Sequence, residues 1–157
     1  GEHGWSMDPN LGPRLLDGKE LAATREGAST LGQLRDASMF SERTTVERAE
    51  MNGEACWKVK LVWNSGRETY DCYSVESGLI VATEIVQPSP MGEIPVVSLV
   101  SDYEEYGGVL TPTHVIQEMM GQRQIISVDT VEVGPIDPER FAPPAAIMTL
   151  IEQQAGS

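Results

Sequence analysis

Positive charge is scarce in this chain. Eleven Lys and Arg stand against 24 Asp and Glu in 157 residues, a formal net charge of −13. That balance excludes a nucleic-acid partner, because nothing here could neutralise a run of phosphates. It also argues against docking by charge on an anionic membrane, and its plain consequence is solubility. Histidine and cysteine are nearly as rare, with two of each. His3, His114, Cys56 and Cys72 match no metal-ligand spacing, so no metal site is expected. No apolar run approaches the length of a membrane-spanning helix. The residues given carry no secretory signal peptide.

Catalytic signatures are missing as well. The chain holds no nucleophile elbow, zinc-protease helix, P-loop or dinucleotide fingerprint. Two isolated His give no Ser/His/Asp or Cys/His arrangement. One acidic cluster, Asp102, Glu104 and Glu105 beside Tyr103 and Tyr106, has the residue types of a paired-carboxylate hydrolase or a weak Ca²⁺ site. It lacks the spaced ligand loop of a Ca²⁺ site and reads as a solvated turn running into Gly107-Gly108. The expectation is a protein without catalytic residues or cofactor.

What is present is an apolar, strand-rich pattern. Apolar residues make up 40% of the chain, enough for one domain with a real core. From Ala55 to Trp63 the sequence alternates. Trp57, Val59, Leu61 and Trp63 fall on one face, and Cys56, Lys58, Lys60 and Val62 on the other. A period of two with aromatic and β-branched residues marks a half-buried strand. Asn64-Ser65-Gly66 supplies the turn, Arg67–Val75 the return strand, Glu76-Ser77-Gly78 the next turn, and Leu79–Val86 a third strand. Thr44–Met51 precedes them across Asn52-Gly53, the strongest hairpin signal in the chain. Val96–Tyr103, Pro112–Met120 and Arg123–Val133 complete about seven strands. Prolines 88, 90 and 95 mark the stretch between Val86 and Val96 as a loop. Residues 1–17 also read as a loop, anchored by Trp5. Gly18–Gly27 reads as a short helix, and Ala28–Arg35 as its extension or a second one. Asp137–Phe141 reads as a single turn capped by Asp137 with Pro138 first. Ala145–Gln154 is a helix or tail.

The fold class is therefore mainly β with α+β character: an antiparallel meander that closes, stays open as a half-barrel or pairs as a sandwich, with short helices covering one opening. Trp57, Leu61, Trp63, Leu79, Val81, Val97, Leu99, Ile116, Ile126 and Val128 all lie on strands. Several of those strands are apolar on both faces. Such a surplus either fills the sheet's own interior or holds an apolar ligand. A dozen buried methylenes would gain on the order of 10 kcal/mol gross at ~0.8 each, enough for binding after entropic costs. Cys56 and Cys72 are open to two readings: a cross-strand disulfide, or two small buried hydrophobes.

Three motifs then carry a family resemblance. Gly53-Glu54-Ala55-Cys56-Trp57-Lys58-Val59 is a turn followed by an aromatic-bearing strand. Tyr73 to Val81 forms a strand, turn and strand, with Ser74 where the pattern has Asp. Ser101-Asp102-Tyr103 is followed by Gly108-Val109-Leu110-Thr111-Pro112 and the closing Ile136–Phe141. In this order they resemble the periplasmic lipoprotein-carrier superfamily, the Lol-type and outer-membrane lipoprotein-sorting proteins, some of which accompany pitrilysin-type peptidases. The resemblance covers roughly Thr44 to Pro144. It implies one domain over 1–157, with a loop-and-helix segment over 1–43, a meander over 44–144 and a helix or tail over 145–157. It implies an open half-barrel with helices as lid, a periplasmic or cell-envelope location, and non-catalytic binding of lipid or a lipoprotein acyl chain. The concave face would offer Trp57, Val59, Leu61, Trp63, Tyr73 and Leu99 to the ligand. The alternative is a structural domain with a self-filled sheet, docking on itself or on a partner such as a peptidase. The family's first helix and strands are expected ahead of Gly4-Trp5 and do not appear. Either the chain is the C-terminal portion of the pattern, or another chain completes the sheet. An open edge invites pairing, so a homodimer through that edge or a swapped element is expected.

Overall fold

The computed structural model describes residues 3–9 and 11–155. The sequence reads as one domain, but the chain divides into two compact units: Gly1–Ser29 with Gly134–Ser157, and Thr30–Val133.

The first unit begins with a hairpin. β1 (Gly4–Asp8) pairs antiparallel with β2 (Gly12–Leu16), and α1 (Gly18–Ala28) follows. Here the structure corrects the expected loop over 1–17: Trp5 sits on β1, opposite Leu15. The Pro and Gly content that argued for a loop falls at the turn and at the start of β2, while Trp5-Ser6-Met7 and Arg14-Leu15-Leu16 pair freely. Arg14 meets both carboxylate oxygens of Glu20, joining β2 to α1. This holds the Glu20 carboxyl below its ordinary value, through that bond first, against the opposing effect of burial.

In the second unit α2 (Thr30–Gln33) and a 3-10 turn (Ala37–Met39) lead into seven strands. These are β3 (Phe40–Met51), β4 (Glu54–Trp63), β5 (Glu68–Ser74), β6 (Ile80–Ser89), β7 (Gly92–Tyr106), β8 (Val109–Met119) and β9 (Gln122–Ser127). They lie side by side in chain order as one antiparallel sheet. The sheet is not closed into a barrel. Returning to the first unit, a 3-10 turn (Pro138–Phe141) is capped by Asp137, which accepts from the Glu139 N–H at 3.0 Å, as its sequence suggests. α3 (Ala145–Ala155) then packs on β2, with Ile147 fully buried.

The turn between β3 and β4 shows why the sequence places it so well. Asn52 and Gly53 have φ of 51° and 82°, the two positive values of a tight hairpin turn. The prolines tell a different story. Pro88 sits in β6 opposite Glu93, and Pro95 sits in β7 opposite Val86. The expected Gln87–Pro95 loop is thus a strand, a tight turn and another strand. Pairing of β6 to β5 begins at Ile85, and pairing of β7 to β8 begins at Val96. Both prolines therefore have a neighbouring strand on one side only, where a missing N–H is tolerated.

Two small cores lie on opposite faces of β4. On the face of its odd-numbered residues, Leu61 and Trp63 are buried with Phe40, and Met39 and Val59 pack against them. The Phe40 and Trp63 rings meet at 4.6 Å between centroids, tilted by 58°, a favourable aromatic geometry. On the other face, Cys56, Cys72 and Ala82 are buried, with Ala49, Met51, Val81 and Leu99 around them. Both cysteines are free. Cys56 stands opposite Ser74 and Cys72 opposite Lys58, so they are diagonal neighbours rather than a facing pair. Burial first, and then the Cys56 thiol, push Cys72 up to about 12. Beyond them Lys58 reaches across β5 to both carboxylate oxygens of Glu84, at 2.7 and 2.9 Å.

Candidate functional site

The face that carries Trp63 is covered at one end and open at the other. The cover is the segment from α2 through the 3-10 turn. Asn64 holds it by donating its backbone N–H to the Met39 carbonyl at 3.1 Å and its side-chain amide to the Ser38 carbonyl at 2.7 Å. A deeper tie is ionic. Asp71, in the middle of β5, has no exposed surface. It accepts from Arg35 Nε at 2.5 Å and from Nη2 at 3.3 Å. A buried carboxylate requires such a partner. Arg35 Nη1 also donates to the Gly32 carbonyl at 2.9 Å, and the guanidinium lies 5.9 Å over the Trp63 ring. Burial would lower the Arg35 pKa, but the bond and charge of Asp71 outweigh it and the value is raised.

Arg35 adopts φ of 54°, left-handed backbone that is uncommon for a non-glycine residue. It lies in the turn that follows α2, and its N–H donates to the Gly32 carbonyl. The strained conformation is kept because it delivers the guanidinium to Asp71, the pattern of strain held in place by its surroundings.

Beside this pair opens a cleft of about 400 Å³. Leu34 and Arg35 form one wall, Tyr73 and Ile80 the floor, and Val100, Tyr103 and Leu110 the far side. Its size falls in the range of ligand pockets, about 300–1,000 Å³. The polar groups of Arg35, Tyr73 and Tyr103 at its inner edge are already bonded. Tyr103 donates its hydroxyl to the Ile80 carbonyl at 2.7 Å, and Tyr73 points its own at Asp71, at 3.5 Å. Burial, and then the Asp71 charge, push Tyr73 up to about 12 and raise Tyr103 as well. Both phenols are therefore neutral donors at neutral pH.

Tyr103 reaches this cleft through a backbone device. Strict alternation along β7 would turn it away from Val100. Asp102 between them has φ of 55°, which breaks the alternation. Asp tolerates that conformation better than most residues.

The expected ligand-binding residues scatter. Leu61 and Trp63 are covered by Phe40 and Met39, and Val59 packs beside them. Trp57 is 46% exposed, opposite Arg48 and Tyr73. Tyr73 lines the cleft. Leu99 lies on the opposite face, at a smaller cleft of about 170 Å³ shared with Met51, His114 and Ile116. The acidic cluster is not in a turn: β7 runs to Tyr106, and the turn narrows to Gly107 and Gly108. Asp102, Glu104 and Glu105 are exposed there, and Glu104 accepts from the Tyr106 hydroxyl at 2.8 Å. Among the described residues no three His, Cys, Asp or Glu converge as metal ligands. Sequence reasoning passed over Arg35 and Asp71. The available signal was Asp71 itself, a charge between Tyr70 and Cys72 in a strand that is otherwise half buried.

The first unit carries its own apolar cleft, about 380 Å³, between Leu15, Leu16 and Leu21 on one side and Ile151 on the other. No protein-family model, curated protein or solved structure matches the chain.

Proposed function

We propose that the chain is a non-catalytic binding domain for an apolar ligand, with the cleft beside Tyr73 and Tyr103 as its site. One observation carries the reading: the open half of the sheet face has a cleft of ligand size, lined mostly by apolar side chains, in which Arg35, Tyr73 and Tyr103 are bonded within the chain. A ligand entering it would not need to break a polar bond. It would gain by burying its own chain against Leu34, Ile80, Val100 and Leu110. An acyl chain is the ligand that the motif resemblance to lipoprotein carriers favours, and the same resemblance favours an envelope location.

The test is a titration of the full chain with a fluorescent fatty acid, alongside mass spectrometry of an organic extract. Binding in the micromolar range is expected. Leu110→Glu, at a position 51% exposed, should weaken it at least tenfold with the fold intact. Absence of both co-purified lipid and probe binding would sink the proposal. So would binding that Leu110→Glu leaves unchanged.

A second reading is a structural or interaction domain. It draws on the covered half of the same face, where Phe40, Leu61 and Trp63 fill the space with the chain's own side chains. An empty cleft in a ligand-free, stably folded protein would favour it.

A further inference from the structure

The two edges of the seven-stranded sheet differ in how they meet solvent. β3 is guarded. It carries Glu42, Arg43, Glu47, Arg48 and Glu50, and its pairing with β4 shifts register between Phe40 and Glu42 and again between Thr45 and Glu47. Charges and bulges are the usual protection of an edge. β9, Gln122–Ser127, has no bulge and a single charge, Arg123. Its register against β8 is unbroken from Gln122 to Ser127, and every residue in it is exposed. Ile125 is 60% exposed and Ile126 40%.

The backbone shows which groups this edge offers. Val128 donates its N–H to the Thr113 carbonyl at 2.8 Å. In an antiparallel ladder bonded pairs alternate along the strand. The even-numbered residues of β9 are therefore bonded to β8. Arg123, Ile125, Ser127 and then Asp129 turn their N–H and C=O groups outward. A partner strand must pair with those four, so registers can shift only in steps of two.

We propose that β9 is a dimerisation edge whose occupant is β9 of a second copy, antiparallel and centred on Ile126. In that register Ile126 meets Ile126 of the partner at the two-fold axis. Ile125 exchanges backbone bonds with Ser127, and Arg123 with Asp129. The close, non-bonded position falls to Ile126, where side chains approach most nearly. Arg123 and Asp129 then stand directly opposite at both ends, an opposite-charge pair made twice by symmetry. Arg123 is the sole Lys or Arg between Val109 and Val133, in a chain of net charge −13. Sliding the partner two residues one way sets Gln124 against Ile126 and leaves Asp129 beyond the strand's cation. Pairing β9 with the guarded β3 of another copy would be head-to-tail, and nothing would require such contacts to close. The symmetric register keeps both copies' clefts on the same face of a continuous sheet.

The test is sedimentation of the full chain over rising concentration, at about 0.15 M ionic strength to screen the net charge. A monomer–dimer equilibrium is expected. Arg123→Glu and Asp129→Arg should each raise the dimer Kd at least tenfold, and the double swap should restore it to within a few-fold. Ile125→Pro removes an outward N–H that β8 does not use, so it should abolish the dimer while leaving the circular dichroism spectrum unchanged. A monomer at every concentration overturns the proposal. So does a dimer indifferent to both charge reversals, a double swap that fails to rescue, or open-ended higher assembly.

Discussion

At one end of the sheet face Leu61 and Trp63 lie under Phe40 and Met39, and Arg35 is locked to Asp71. At the other end Val100, Tyr103 and Leu110 border an open cleft. Both ends belong to one meander, built from the same kinds of strand. The difference comes from the eleven residues between α1 and β3, which are long enough to cover half a face and are pinned by Asn64 and one buried ion pair. Strand composition therefore does not decide which apolar residues are core and which are available. The reach of a short connecting segment does.

That contrast can be broken from the covered end first. Trp63 is 3% exposed, and its indole N–H donates to Thr69 Oγ1 at 3.0 Å. Trp63→Ala should cost about 4 kcal/mol by denaturant unfolding. A cost near 1 kcal/mol would mean that the covered end is not a core. Asp71→Ala should cost about 3 kcal/mol, because it strands the Arg35 charge against the sheet. The double replacement Arg35→Met with Asp71→Leu should recover most of that loss, since a packed apolar pair can stand in for a buried ionic one.

Alkaline pH probes the two faces separately. Cys72 and Tyr73 both have folded values above their ordinary ones, so the fold favours their neutral forms. Each contribution is complete below the ordinary value and is lost as pH rises through the folded value. For Cys72 the loss starts above 9.0, for Tyr73 above 10.0, and both extend to about 12. Melting temperature should hold to pH 9 and then fall. Cys72→Ala should flatten the first part of the decline and Tyr73→Phe only the later part. Identical profiles for the two variants would contradict the assignment of separate onsets to these two groups. The smallest effect on stability belongs to the open end: Leu110→Glu should change unfolding free energy by no more than about 0.5 kcal/mol, although it disables the cleft.

The central strands were legible because their signals are local. Trp57 to Trp63 alternates cleanly, and Asn52-Gly53 dictates its own turn. Pro88 and Pro95 misled because proline excludes a strand only where both neighbours need its N–H, and neighbours are a tertiary fact. The hairpin at β1 and β2 was hidden by Gly and Pro that turned out to serve its turn. At the site, alternation placed Trp57, Leu61 and Trp63 correctly on one face but could not show that Phe40 would cover two of them. Tyr103 was out of reach for a related reason. Its orientation depends on one left-handed residue, Asp102, and many Asp residues never adopt that conformation.

The left-handed Arg35 has one more consequence, for the order of folding. Every pairing in the seven-stranded sheet joins strands adjacent in sequence, the kind of contact that forms early. Arg35 and Asp71 are 36 residues apart, and Arg35 must accept strained backbone before the pair exists. Beyond its local bonds to the Gly32 carbonyl, that conformation gains its ionic partner only when β4 and β5 have come together to present Asp71. The cover should therefore dock last, onto a finished sheet. In stopped-flow kinetics the Asp71 variants would then unfold faster while folding at an almost unchanged rate.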